Sequence, residues 1–208
     1  MKRKKISKEE ILEVAKSLFL EQGYEATSIR KIASRIGISP TTIYLYYKGK
    51  TEIVHALHSA GFELLKKKFE TLHLVEEPFE RLKAMGRCYI DFAIENKGFY
   101  EIMFIMKEPL KYLKNSEKPS CDSEWEEGKT AFHALISTIE DCMDNGYFKH
   151  YDSHTLALLI WAHMHGLCTL NNNGQLELVN NKTDMTIQET ESILKQSFEV
   201  YSQMLKNI

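Results

Sequence analysis

The chain of 208 residues is poor in the two residues that most often break regular structure, with 10 glycines and 4 prolines. That excludes collagen-like, proline-rich and loop-dominated proteins. Its 4 cysteines, at positions 88, 121, 142 and 168, include no Cys-x-x-Cys pair, so the zinc ribbon and the thioredoxin motif are absent. Long hydrophobic runs are missing too. The longest mostly apolar stretch, residues 155–170, contains His163 and His165 and falls short of the roughly 20 residues that a membrane span needs. The first residues are basic, but Ser7-Lys8-Glu9-Glu10 follows where a signal peptide would carry its apolar segment. These absences lead us to expect a cytoplasmic protein with reduced thiols and no membrane partner. No Gly-x-Ser-x-Gly elbow, His-Glu-x-x-His, P-loop or Gly-x-Gly-x-x-Gly occurs, so no enzyme activity and no cofactor is expected.

What is present is asymmetric charge and helical period. Residues 1–50 hold 11 Lys+Arg against 5 Asp+Glu, and residues 51–208 hold 16 against 24, so a net of +6 faces a net of −8. A basic end on an acidic body points to a polyanion as the partner of that end, unless the Lys run is only a solvated tail. Ser7 and Glu10 form a capping box, and Ile11, Val14, Ala15, Leu18 and Phe19 follow on one helical face. The same signals recur along the chain and no useful alternating strand interrupts them. The fold class is all-α, with about nine helices: an N-terminal three-helix domain over residues 1–50 and a helical domain over residues 51–208. A helix over residues 50–72 links them. Residues 97–106 are expected to form one helix, residues 171–184 a polar loop, and Thr186 with Glu189 the capping box of the last helix.

Residues 27–47 carry the most information. Ala33 is small where two helices would cross, Gly37 suits the left-handed residue of a turn four positions on, and Ile36, Ile38 and Ile43 would pin the second helix. This is helix-turn-helix spacing, although an ordinary helical hairpin shares part of it. The charge around the second helix favours the former: Pro40, Thr41, Thr42, Tyr44 and Tyr46 lie there without an acid, framed by Arg30, Lys31, Arg35, Lys48 and Lys50. Hydrogen-bonding groups on a helix, surrounded by cations, fit a base-reading helix framed by phosphate contacts on double-stranded DNA.

The run TSIRKIASRIGISPTTIYLYYKGKTEIV resembles the signature of the TetR/AcrR regulators, and the resemblance extends over residues 7–54. It implies that Thr27 and Ser28 cap the motif's first helix and touch phosphate, that Arg30 reaches a phosphate or base edge, and that Thr41 and Thr42 enter the major groove. It likewise implies phosphate contacts from Tyr44, Tyr46 and Lys50. Many members have Gly at position 41 and a basic residue at position 40, where this chain has Thr41 and Pro40, so the preferred bases are its own. Trp161, His165 and Gly166 are similar to the Trp-His-Gly element of one C-terminal subgroup of that family. Read from spacing alone, Trp161 and His165 share a helix face, and a packed core with a satisfied histidine explains them equally well.

The acidic part is rich in aromatic and sulfur side chains. Phe92, Tyr100, Met103, Phe104, Trp125, Phe132, Trp161 and His165 are candidates to line a pocket between the middle helices for a small apolar or aromatic effector. Most side chains of this kind are simply core. No metal site is expected, because only His165 and Cys168 share a helix face and two ligands do not make a site. On the last helix Leu194, Phe198, Tyr201 and Leu205 form one apolar face, widened by Ile193, Val200 and Met204. The resemblance assigns such a face to a homodimer that presents two reading heads to a pseudo-palindromic operator. The expected function is that of a ligand-responsive, sequence-specific DNA-binding transcriptional regulator, a repressor released by a small molecule. The alternatives are a DNA-binding protein of the same fold answering to a protein partner, and a small helical binding protein or enzyme whose helix-turn-helix is incidental.

Overall fold

The computed structural model describes residues 6–110, 126–182 and 190–208, and among them the regular structure is helical without a strand. The chain divides into two compact units, one of Met1–Glu63 with Gly98–Glu127, the other of Leu64–Lys97 with Gly128–Ile208. The first division falls inside a helix, between Glu63 and Leu64. Trp125, Cys121, the Lys run at the N-terminus and the capping residues Thr186 and Glu189 lie outside the described residues.

In the first unit, α1 (Lys8–Gln22) begins where the Ser7 hydroxyl accepts the amide N–H of Glu10 at 3.2 Å. It ends at Gly23, whose positive φ of 83° suits the residue. α2 (Ile29–Ile36) is capped by Ser28 and closed by Gly37 in the left-handed conformation, with the Gly37 amide bonded to the Ala33 carbonyl at 2.9 Å. α3 (Pro40–Tyr44) has only five residues, with Ser39 as its cap and Pro40 in its first turn. α4 (Lys50–Glu70) runs from this unit across the division. Ile11, Ala15, Phe19, Ile32, Ala33, Ile43, Ile53, Leu57 and Ile102 close one buried cluster. Ile102 arrives from far down the chain, so the core of the N-terminal helices is not built from the first fifty residues alone. It is delivered by α6 (Lys97–Tyr100) and a π-helix, Glu101–Ile105, in place of the single helix expected over residues 97–106. The π turn buries both Ile102 and Met103, and Met103 packs closely on α4, where a Cβ at position 61 would clash with its sulfur.

The second unit is built on α5 (Pro78–Glu95), α7 (Glu126–Asp144), α8 (Ser153–Asn172), α9 (Gln175–Lys182) and α10 (Thr190–Lys206). Its core includes Phe79, Phe92, Ile139, Phe148, Ile160 and Leu194. Phe148 follows the turn after α7 with φ at 52°, a strained setting that its burial beside Phe79 holds in place. α9 replaces the polar loop expected over residues 171–184. Its sequence is mostly polar, and it is held as a helix by packing on α8 and α10, a tertiary contact that local composition does not announce.

Candidate nucleic-acid interface

The helix-turn-helix divides its polar residues into two groups. Arg30, Ser28, Thr41 and Tyr44 are exposed, Thr42 is half-buried, and Lys48 lies exposed just beyond α3. Tyr44 is 56 % exposed and Leu45, next to it, 79 %. Together they make a surface with hydroxyls for phosphate or base edges, cations for phosphate, and one apolar side chain suited to a sugar or a thymine methyl. Leu45 was not singled out from sequence, since an apolar residue beside a motif reads as core.

The second group faces inward. Thr27 is 1 % exposed, and its hydroxyl donates toward the carbonyls of Gly23 at 2.8 Å and Leu18 at 3.2 Å while Gln22 Nε2 donates to it at 3.2 Å. It ties the end of α1 to the start of α2, so its hydroxyl is committed inside the fold, while Ser28 beside it is exposed. Tyr46 spends its hydroxyl proton on the Ile6 carbonyl at 2.9 Å. Lys50 donates to the Tyr24 carbonyl at 2.7 Å and lies 3.9 Å from the centre of the Tyr24 ring. In this conformation both residues hold the reading head together, rather than standing out as phosphate ligands. Arg35 pairs with Glu21 at 3.1 Å, and Lys31 donates to Gln22 and the Ala26 carbonyl.

The pocket candidates fall into two places. Tyr100, Met103 and Phe104 belong to the first unit, where Phe104 lies 5.1 Å from Tyr100 and 5.5 Å from Phe62, centre to centre. His58, which the sequence reading passed over, extends this row: its ring lies 5.0 Å from Phe62. It is 2 % exposed, and burial, with His55 adding to it, pushes its pKa down to about 4. In the second unit Phe92 is buried, while Phe132, Trp161 and His165 are half-buried. Trp161 Nε1–H donates to the Tyr89 hydroxyl at 3.3 Å, and that hydroxyl lies 3.5 Å from His165 Nδ1, with the donor set by the histidine tautomer. Tyr89 was also missed from sequence, because nothing in α5 marks which of its aromatics has a polar partner 72 residues away. Burial lowers the His165 pKa and raises that of Cys168 to about 12. Among the described residues no three His, Cys, Asp or Glu side chains gather in a metal-holding arrangement.

The apolar face expected on the last helix divides as well. Leu194, Phe198 and Leu205 are buried within the second unit, Phe198 so close to α5 that a Cβ on Gly86 would come within 2.5 Å of its ring. Tyr201 is half-buried and stacks on His163 at 3.7 Å. Those four side chains serve the unit itself, and the exposed apolar residues are their neighbours: Val200 and Met204 on α10, Leu158, Leu159 and Leu170 on α8.

A short, capped second helix, seated by its apolar side and exposing hydroxyls among cations, defines a helix-turn-helix DNA-binding protein. The description "Bacterial regulatory proteins, tetR family" matches residues 11–57, and "Tetracyclin repressor-like, C-terminal domain" matches residues 82–191. The chain belongs to the TetR family of bacterial regulatory proteins. It is 31 % identical over 141 residues to the HTH-type transcriptional repressor KstR2 of Mycobacterium tuberculosis, covering 67 % of this chain and 68 % of that one. It is 26 % identical over 147 residues to the transposon Tn10 TetC protein of Escherichia coli, covering 70 % of each. Among solved structures its fold is similar to the fatty acid degradation regulator FadR of Bacillus halodurans, with a TM-score of 0.71 at 16 % identity over 96 % of both chains. It is also similar to the ketosteroid regulator KstR2 of Mycobacterium tuberculosis, with a TM-score of 0.70 at 18 % identity over 96 % of this chain and 94 % of that one. The protein is thus a DNA-binding transcriptional regulator, and no described helix is long and apolar enough to cross a membrane.

Two outcomes follow from these placements. Thr27→Val keeps the shape of the side chain and takes a donor from the buried Leu18 carbonyl and from the part-buried Gly23 carbonyl. Stability should fall by about 1–3 kcal/mol in urea denaturation, with DNA affinity unchanged well below the melting temperature. His58 stays neutral in the folded protein and takes up a proton more readily when unfolded. Its contribution, up to about 3 kcal/mol, is therefore present above pH 6.5 and is lost as the pH falls from 6.5 toward 4. The melting temperature of His58→Gln should depend less steeply on pH across that window than that of the parent protein. Parallel curves would contradict the assignment.

Proposed function

We propose that the protein is a homodimeric repressor that leaves a pseudo-palindromic operator when a small apolar molecule binds. The observation that carries the DNA half is the exposed edge formed by Arg30, Thr41, Tyr44 and Lys48 on a buried frame. In this reading residues 1–50 read the operator and residues 51–208 serve effector binding and pairing. Regulators similar to this chain are named for fatty acid metabolism and ketosteroids, which supports an apolar effector. Release requires the effector to bind the DNA-competent and the incompetent states unequally.

The pairing surface in this reading is the exposed side of α8 and α10. Leu159, Gly166 and Leu170 follow at helical spacing on α8. Val200 and Met204 lie one turn apart on α10, with Met204 63 % exposed. A Cβ on Gly166 would meet nothing within 4 Å, so this side of α8 is open to a close helix approach. Twofold pairing sets two reading heads one helical turn of DNA apart.

Binding to the DNA upstream of its own gene, compared with an unrelated duplex over a salt series, tests the DNA half. The expected result is a preference of about a thousandfold or more and a footprint with inverted half-sites. Weak, equal binding that vanishes as salt rises would leave only a basic surface on a polyanion. In the same assay Tyr44→Phe should weaken binding about three- to tenfold on every sequence, with the salt slope unchanged, because an uncharged hydroxyl is lost. An unchanged dissociation constant would remove Tyr44 from the interface. For the pairing half, Leu159→Glu with Val200→Glu should give the mass of one chain by light scattering at micromolar concentration, with helix content intact. A dimer mass for the double variant would place the interface elsewhere.

A further inference from the structure

Among the described residues His58 is the histidine with a buried ring nitrogen that no hydrogen bond satisfies. It lies on the third turn of α4 and is almost wholly buried, and its Nε2 has no hydrogen-bond partner. A buried polar atom left unpaired destabilises a fold, and a leucine or phenylalanine here would avoid the loss. The histidine ring belongs to an aromatic row, His58, Phe62, Phe104 and Tyr100, with neighbouring ring centres 5.0–5.5 Å apart, and the His55 ring stacks on it from the other direction along α4 at 6.4 Å. Phe104 is part of the π-helix, a rare backbone form found frequently at functional sites.

We propose that His58 Nε2 is the polar anchor of an effector site in the first unit, taking an otherwise apolar ligand through one uncharged oxygen, a ketone or an alcohol. The inference rests on the effector-responsive reading above and adds to it the chemistry and the place of the contact. The neutral imidazole offers either an N–H to a carbonyl or a lone pair to a hydroxyl, according to tautomer. The aromatic row takes the apolar body of the ligand. An anionic head suits the site poorly. Glu127 lies near enough to act on both His55 and His58, and its charge would oppose a carboxylate there. The site is also placed to matter for DNA. Its π-helix carries Met103, which packs on Gly61 of α4, and Phe99, in α6 just before it, lies under Lys16 of α1, 4.2 Å from the ring centre. A ligand that moves Phe104 therefore pushes on segments already in contact with the frame of the reading head.

The test uses the full-length protein with 15N-labelled histidine. The His58 resonances are identified by their loss in His58→Gln, and the probes are 2-octanone, 1-octanol, n-octane and octanoate. The ketone and the alcohol should move the Nε2 resonance, while the alkane and the carboxylate should leave it in place. His58→Phe should bind 2-octanone at least tenfold more weakly and melt at a higher temperature than the parent protein, because the unpaired atom is gone. His58→Gln, which keeps a donor and an acceptor, should stay within threefold of the parent affinity. A histidine that merely packs predicts no loss of ketone affinity in His58→Phe and no movement of Nε2 with the ketone or the alcohol. An Nε2 that ignores every probe, or answers the alkane as strongly as the ketone, overturns the proposal. If His58→Phe does not fold, the response of the parent protein and the comparison with His58→Gln still decide it. Operator binding measured on the same samples separates the two readings. A silent Nε2 with intact DNA binding defeats only this inference, and a responsive Nε2 without specific DNA binding defeats only the regulator.

Discussion

A helix of five residues has no stability of its own, because nucleation costs more than so few hydrogen bonds return. Pro40–Tyr44 is such a helix, and it exists because Ile43 is inserted into the buried cluster of the first unit. Everything the DNA-facing surface presents depends on that insertion. Ala33 is buried at the crossing and Gly37 takes the left-handed turn, so α3 can lie close to α2. Ser39 supplies the cap that the short helix cannot do without. Thr41 and Tyr44 project outward because Ile43 between them points in. The inward polar residues serve the same end: Thr27 joins α1 to α2, Tyr46 fastens the chain at Ile6, and Lys50 grips the turn at Tyr24.

The second unit meets a different demand. Its core contains aromatic residues with polar edges, and they satisfy one another across helices, Trp161 to Tyr89 to His165. The polar edges of these rings therefore have partners, which limits the cost of burying them. His58 in the first unit is the counterexample, a buried ring with an atom left over. A fold tolerates such an atom most readily where a second molecule can complete it.

Much of this was legible in the residues. Caps and left-handed glycines are local chemistry, and Ser7, Ser28, Ser39, Gly23 and Gly37 do what their residue types imply. The helix-turn-helix could be read because its spacing is fixed by sterics over twenty residues. What escaped was set by contacts distant in sequence. Thr27 and Ser28 are neighbours of the same chemistry, and only the closing of α1 on α2 decides that one faces in and the other out. On the last helix a broad apolar stripe gave no sign of which part would be covered by α5. The structure puts Leu194 and Phe198 inside and leaves Val200 and Met204 outside. The π-helix and α9 owe their form to packing partners far along the chain, as does the isolation of His58. A histidine on an apolar face reads the same whether or not something will pair with it.

The discontinuity of the first unit has a consequence for the order of events on the ribosome. Ile102 is a full member of the core beneath the DNA-reading helices, and Phe99 and Met106 pack against it. The first sixty residues therefore leave the ribosome with an apolar gap that no nearby segment fills. Between them and their missing piece lies Leu64–Lys97, which belongs to the other unit. Synthesis from the N-terminus, with closure waiting on contacts so far apart in sequence, makes the reading head a late product. A nascent chain stalled before residue 98 lacks Phe99, Ile102 and Met106, so the buried cluster of the first unit is complete only once the chain has been made past residue 106.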